Sequence, residues 1–169
     1  MKVRTGFVSN SSSSSFIIAV PEGMEINESN MHRALYQTDN DVQFYPKYDW
    51  LHTGNISSHS VVSSVVNQIK EKGKVENLIE AVNAPYDCDL YYDKFTLPDG
   101  DPRGRYDWDA MQKLENEQKS IVAESIKAKF PNCDFYEVEF SDNDGNWNCE
   151  VEHGPALNSC NNVIRFSHH

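Results

Sequence analysis

An α+β fold, with a small and mainly antiparallel sheet packed by three to four helices, is predicted by three features of the chain. Helical periodicity is concentrated in the middle, between residues 57 and 131. Two-residue alternation is concentrated near the C-terminal end, at Tyr136, Val138 and Phe140 and again at Trp147, Cys149 and Val151. The apolar run Phe16 to Val20 lies near the start and is expected to join that sheet, because an isolated hairpin is only marginally stable. With 169 residues, 38% of them hydrophobic and 11% aromatic, the chain can build a core as one domain over residues 1–169.

In chain order, Phe16 to Val20 reads as a buried strand ended by Pro21 and Gly23. Asn27 or Ser29 can cap a helix to about Tyr36, with Met31 and Leu35 on one side. An aromatic-rich loop follows over residues 38–55. The strongest helix has Val61, Val62, Val65, Val66 and Ile69 on one face, Ser57 or Ser58 as cap and Gly73 as stop. Val75, Leu78, Ile79 and Val82 repeat the pattern in a shorter helix before Pro85. Leu90 to Phe95 fits a strand, and Pro98 to Pro102 a loop. A long helix runs from Asp107 or Asp109 to Pro131, with Trp108, Met111, Leu114, Ile121, Val122 and Ile126 as its apolar side. The two alternating stretches predict a hairpin turning at Asp142 to Gly145, and Val163 to Phe166 a last strand.

The formal charge of −11 argues against sequence-independent binding to nucleic acid or to an anionic membrane, which needs clustered Lys and Arg. There is no long apolar run to span a bilayer, and Ser9 to Ser15 interrupt any signal-peptide core. Cys88, Cys133, Cys149 and Cys160 form no C-x-x-C pair, which predicts free thiols in a cytoplasmic protein.

The run Ser11 to Ser15 is held between Phe7-Val8 and Phe16 to Val20. Backbone N–H groups and hydroxyls at Ser9, Asn10, Ser11, Ser12 and Ser13 can cradle a small anionic ligand. No lysine is present to make a P-loop. The same hydroxyls suit modification or processing, and a polar turn that satisfies its own backbone is the simplest reading. The string R-x-G-F-V-S-N-S-S-S-S-S-F, Arg4 to Phe16, resembles the N-terminal signature of a family of small uncharacterised proteins from bacteriophages and bacterial genomes. The resemblance implies a phage-related origin in a host-cell cytoplasm, not a reaction, and it supplies no catalytic residues.

Cys149, His153, Cys160 and His168 follow a zinc-like order. In a strand, however, residues four apart are roughly 13 Å from one another, too far for two ligands of one ion. His153, His168 and His169 remain the candidate metal or general-base residues. His52 and His59, beside Ser57, Ser58 and Ser60, suggest only a helix start. The D-x-D pairs Asp87/Asp89, Asp99/Asp101 and Asp107/Asp109 can hold a divalent cation, although turn and helix-start chemistry accounts for the latter two. Arg103 and Arg105 can grip a carboxylate or phosphate, or neutralise neighbouring aspartates. The function expected is that of a phage-encoded binding protein that sequesters a small ligand or blocks a host or phage protein. A metal-dependent hydrolase or group-transfer enzyme and a minor virion protein are the alternatives. No cofactor is required by any motif, and a divalent metal is the one the residues allow.

Overall fold

The computed structural model describes residues 13–46, 54–84, 92–141 and 144–167. The chain divides into two compact units, one of Met1–Val75 with Asn132–His169 and one of Glu76–Pro131.

The first unit is organised on β1 (Ser13–Pro21), which lies between β4 (Cys133–Ser141) and β5 (Val163–Ser167) in an all-antiparallel sheet of order β4-β1-β5. The register pairs Phe16 with Val138 on one side and with Arg165 on the other. A central strand must bury both faces, and Phe16, Ile17, Ile18 and Val20 are all fully inaccessible. The fold class predicted from sequence is the one observed. The serine run is different from its prediction as a turn: Ser13, Ser14 and Ser15 already belong to β1, and Ser14 and Ser15 are buried.

α1 (Glu28–Tyr36) starts where predicted, with the Asn27 side chain accepting the Asn30 N–H, and buries Met31, His32 and Leu35. α2 (Ser58–Lys72) ends at Gly73 and contributes Val61, Val62, Val65, Val66 and Ile69 to the core formed with Phe16, Ile18, Val20 and Val138. Between these helices, β2 (Gln43–Phe44) and β3 (Ile56–Ser57) pair as a short antiparallel ladder.

The predicted second strand of the C-terminal hairpin is a helix. α5 (Asn146–His153) follows Gly145, whose φ of 104° favours glycine, and α6 (Pro155–Asn158) comes next. The strand reading assumed that Glu150 and Glu152 face water while Trp147, Cys149 and Val151 face inward. In fact Cys149, Glu150, Val151 and Glu152 are all buried, so the alternation carried no information about faces. β4 takes β1 as its partner instead, and β5 also pairs with β1 and not with residues 147–151. The turn from α5 into α6 is tight: a Cβ on Gly154 would lie 2.3 Å from the Glu150 carbonyl oxygen.

In the second unit, α3 (Leu78–Ala81) packs on α4 (Trp108–Lys129). Asp107 caps α4 by accepting the Ala110 N–H. The predicted strand at Leu90 to Phe95 is not formed in its described part: Phe95 N–H closes a turn on the Tyr92 carbonyl, and only Thr96 bridges to Tyr106. The predicted apolar side of α4 is only partly interior, with Met111, Leu114 and Val122 half-buried. Ala123 and Ile126 are buried, whereas Trp108 is 56% and Ile121 70% exposed. Among the described residues no helix is long and apolar enough to cross a membrane.

Candidate functional site

Among the described residues, one group of metal-ligating side chains converges: His32, Asp41 and His59, whose donor atoms all lie within 4.8 Å of one another. His32 comes from the buried face of α1, Asp41 from the connector before β2, and His59 from the first turn of α2. The two imidazoles are in contact, with ring centroids 4.6 Å apart. His59 Nδ1 lies 3.5 Å from Asp41 Oδ1. Two ligands of one tetrahedral zinc ion stand about 3.3 Å apart at bond lengths near 2.0–2.1 Å, so this pair is already at ligand spacing.

The orientation of His32 is fixed from behind. Its Nδ1 is 2.7 Å from the Thr38 carbonyl oxygen, which can only accept, so Nδ1 carries a proton and donates it there. Neutral His32 therefore carries its lone pair on Nε2, where the Ser58 hydroxyl meets it. A carbonyl or carboxylate behind the ligand imidazole is the arrangement that holds metal-bound histidines in place. The Ser58 hydroxyl is 2.7 Å from Nε2 and accepts the Val42 N–H at 2.8 Å. It also has a second acceptor, Asp41 Oδ1, at 3.0 Å. The Ser58 oxygen itself stays on the lone-pair side of Nε2, so an ion reaches that nitrogen only when the Ser58 side chain turns away.

Asp41 is ionised at neutral pH. A hydrogen bond from Ser57, at 2.7 Å, with further ones from the His59 N–H, Ser58 and Gln43, holds its carboxyl down at about 2 against the opposing effect of burial. The same contacts cap α2, whose N-cap residue Ser57 makes no side-chain cap bond of its own to the helix. His32 and His59 form part of the wall of a cleft of about 380 Å³, together with Glu28, Ser29, Arg33, Asp39 and Val62. His59 is 58% exposed at its side chain, so the cluster is reached from this cleft.

A second polar cluster lies at the start of β1. Ser14 Oγ donates to Glu152 Oε1 at 2.9 Å and accepts from Arg165 Nε at 2.9 Å. Arg165 Nη2 lies 3.6 Å from the same carboxylate oxygen and donates to His153 Nδ1 at 3.3 Å. His153 Nε2 is 3.6 Å from Glu152 Oε2. The glutamate is completely buried. The fold thus brings together the end of the serine run and His153, which are far apart in sequence. The Arg165 guanidinium is the partner of His153 Nδ1.

Ser9, Asn10, Ser11, Ser12, His168 and His169 lie outside the described residues, and Ser13 is placed by its backbone pairing with Ser141. Arg103 donates to Asp101 and Asp107, and Arg105 lies over the Tyr106 ring. Asp101 and Asp107 thus act as turn and cap residues. Of the zinc-like set, Cys160 is buried with its thiol 3.5 Å from the Ala156 carbonyl, and burial pushes that thiol up to about 11.

In the sequence His32 and Asp41 carry no site signal, and His59 suggests only a helix start. The spacing of 9 and 18 residues between them matches no local motif. The signal that was available is chemical: a histidine on the apolar side of α1, between Met31 and Leu35, needs buried hydrogen-bond partners. No protein-family model, no curated protein and no solved structure matches this chain.

Proposed function

We propose that the protein is a ligand-binding protein whose ligand is a transition-metal ion of the zinc type, held by His32 Nε2, His59 Nδ1 and Asp41. The observation that carries this reading is the convergence of His32, Asp41 and His59, whose donor atoms all lie within 4.8 Å of one another with the two imidazoles in contact. Two imidazoles and one carboxylate suit zinc and its neighbours better than calcium or magnesium, which prefer oxygen ligands alone. Sequestration of a small ligand, one of the roles expected from sequence, is thereby given a chemical identity. Its setting, the cytoplasm of a phage-infected cell, rests on the N-terminal signature.

Isothermal titration of the apo-protein with Zn²⁺ is expected to give one site. His59→Ala and Asp41→Asn are each expected to weaken it about 100-fold, on the scale of losing one metal ligand or its support. His59 is the safer variant for folding because it is half-exposed. Stoichiometric binding that survives both substitutions, or no binding to the wild type, would sink the proposal.

A further inference from the structure

We infer that Ser58 sets the metal affinity of this site. Without the ion its hydroxyl holds the one nitrogen of His32 that can take a metal, and the ion binds by displacing it. This inference deepens the metal-binding reading and rests on it. His32 Nδ1 is committed to the Thr38 carbonyl at 2.7 Å, so the lone pair of the neutral ring is on Nε2. An imidazole nitrogen has a single lone pair, and Ser58 Oγ stands 2.7 Å from this one. An ion bonded along it at about 2.0–2.1 Å would overlap that oxygen. Hydroxyl and ion are therefore alternatives at Nε2.

The hydroxyl is also built into its position. Ser58 is completely buried. Its Oγ lies within hydrogen-bond distance of three groups: His32 Nε2, the Val42 N–H at 2.8 Å and Asp41 Oδ1 at 3.0 Å. Two of these, the imidazole and the carboxylate, are ligand groups of the proposed site. The main chain of Ser58 is tied separately, its N–H donating to the Val42 carbonyl at 2.8 Å. The start of α2 can thus stay in place while the side chain turns.

Displacement takes the hydroxyl from Nε2 and leaves the Val42 N–H without its side-chain acceptor. Part of the ion's binding free energy is consumed in breaking these contacts, so the observed affinity is lower than the three ligands alone would give. The two states differ in what Nε2 holds, and a ligand shifts such an equilibrium only by its preference for one of them. Removing the hydroxyl therefore strengthens the binding of the ion, and binding of the ion loosens the Val42 N–H.

The test is isothermal titration of the full chain with Zn²⁺, wild type against Ser58→Ala. The variant is expected to bind about 3–10-fold more tightly, the net worth of one displaced hydrogen bond. Ser57→Ala is the control for an effect through the carboxylate, because the Ser57 hydroxyl bonds the same Asp41 oxygen at 2.7 Å. It is expected to change the affinity less than Ser58→Ala does. A second measurement needs no variant and decides alone if Ser58→Ala does not fold. In amide hydrogen exchange of the wild type, saturation with Zn²⁺ is expected to lower the protection of the Val42 N–H relative to the Ser58 N–H. Wild-type binding that Ser58→Ala leaves equal or weakens overturns the role of Ser58 while the metal-binding reading survives. Equal tightening by Ser57→Ala, or a Val42 N–H whose relative protection is kept, overturns it likewise. Absence of Zn²⁺ binding to the wild type overturns both readings.

Discussion

Ser14 shows how a single residue changes meaning when the chain folds. In the sequence it is one of five identical serines. In the structure its hydroxyl joins a buried carboxylate to a guanidinium. Removing one partner of a buried ion pair costs about 3–5 kcal/mol, because the survivor keeps its desolvation penalty without its counter-charge. Arg165 is 27% exposed at its side chain, so its loss belongs at the lower end of that range. Arg165→Met is expected to destabilise the protein by about 3 kcal/mol, and Ser14→Ala by about 1–2 kcal/mol, one hydrogen bond to a charged group. Urea denaturation midpoints check both, and equal costs would mean that water, not Arg165, balances Glu152. At this scale the candidate metal site was hidden. Nothing in the sequence shows that His32, Asp41 and His59 meet, since each is an ordinary polar residue of its own element.

Local patterning succeeded where an element has one face to water and one to the core. α1 and α2 both obey it, and their caps and stops fall at the expected residues. It failed where that assumption failed. α5 buries neighbouring apolar and acidic residues alike, so its two-residue alternation reads as a strand although the segment is helical. α4 is the opposite case, a long helix with little interior surface, whose end signals were legible although its apolar side was not. Its two isoleucines separate the effects. Ile126→Ala is expected to cost about 2–5 kcal/mol, as for buried large-to-small changes, and Ile121→Ala less than about 0.5 kcal/mol, as for surface changes. The Ile126 residue is 4% exposed and Ile121 70% exposed. Paired chemical denaturation curves measure the difference, and similar midpoints would contradict the burial assigned to α4.

For the molecule as a whole, the dominant long-range effect is charge. A formal charge of −11 on 169 residues opposes compaction, and salt screens that repulsion with a Debye length of about 10 Å at 0.1 M. Among the described residues, the pairs Arg33–Asp39, Lys72–Glu139 and Lys127–Glu124 are exposed at both ends and contribute little, so screening them loses little. The melting temperature is therefore expected to rise by about 2–4 °C between roughly 10 mM and 500 mM NaCl, a stabilisation near 1 kcal/mol for a chain of this size. A fall in scanning calorimetry would show that attractive pairs outweigh the net repulsion. By itself the sequence determined the α+β class, the positions of the amphipathic helices and of β4 and β5, and the acidic character. These depend on periodicity, caps and composition, which act over a few residues or over the whole chain. Only the tertiary structure decided that the serine run supplies the start of a central strand, that two glutamates of one helix are interior, and that two histidines and an aspartate converge. Those outcomes depend on which distant residue supplies the matching hydrogen bond or charge, and that partner is fixed by packing.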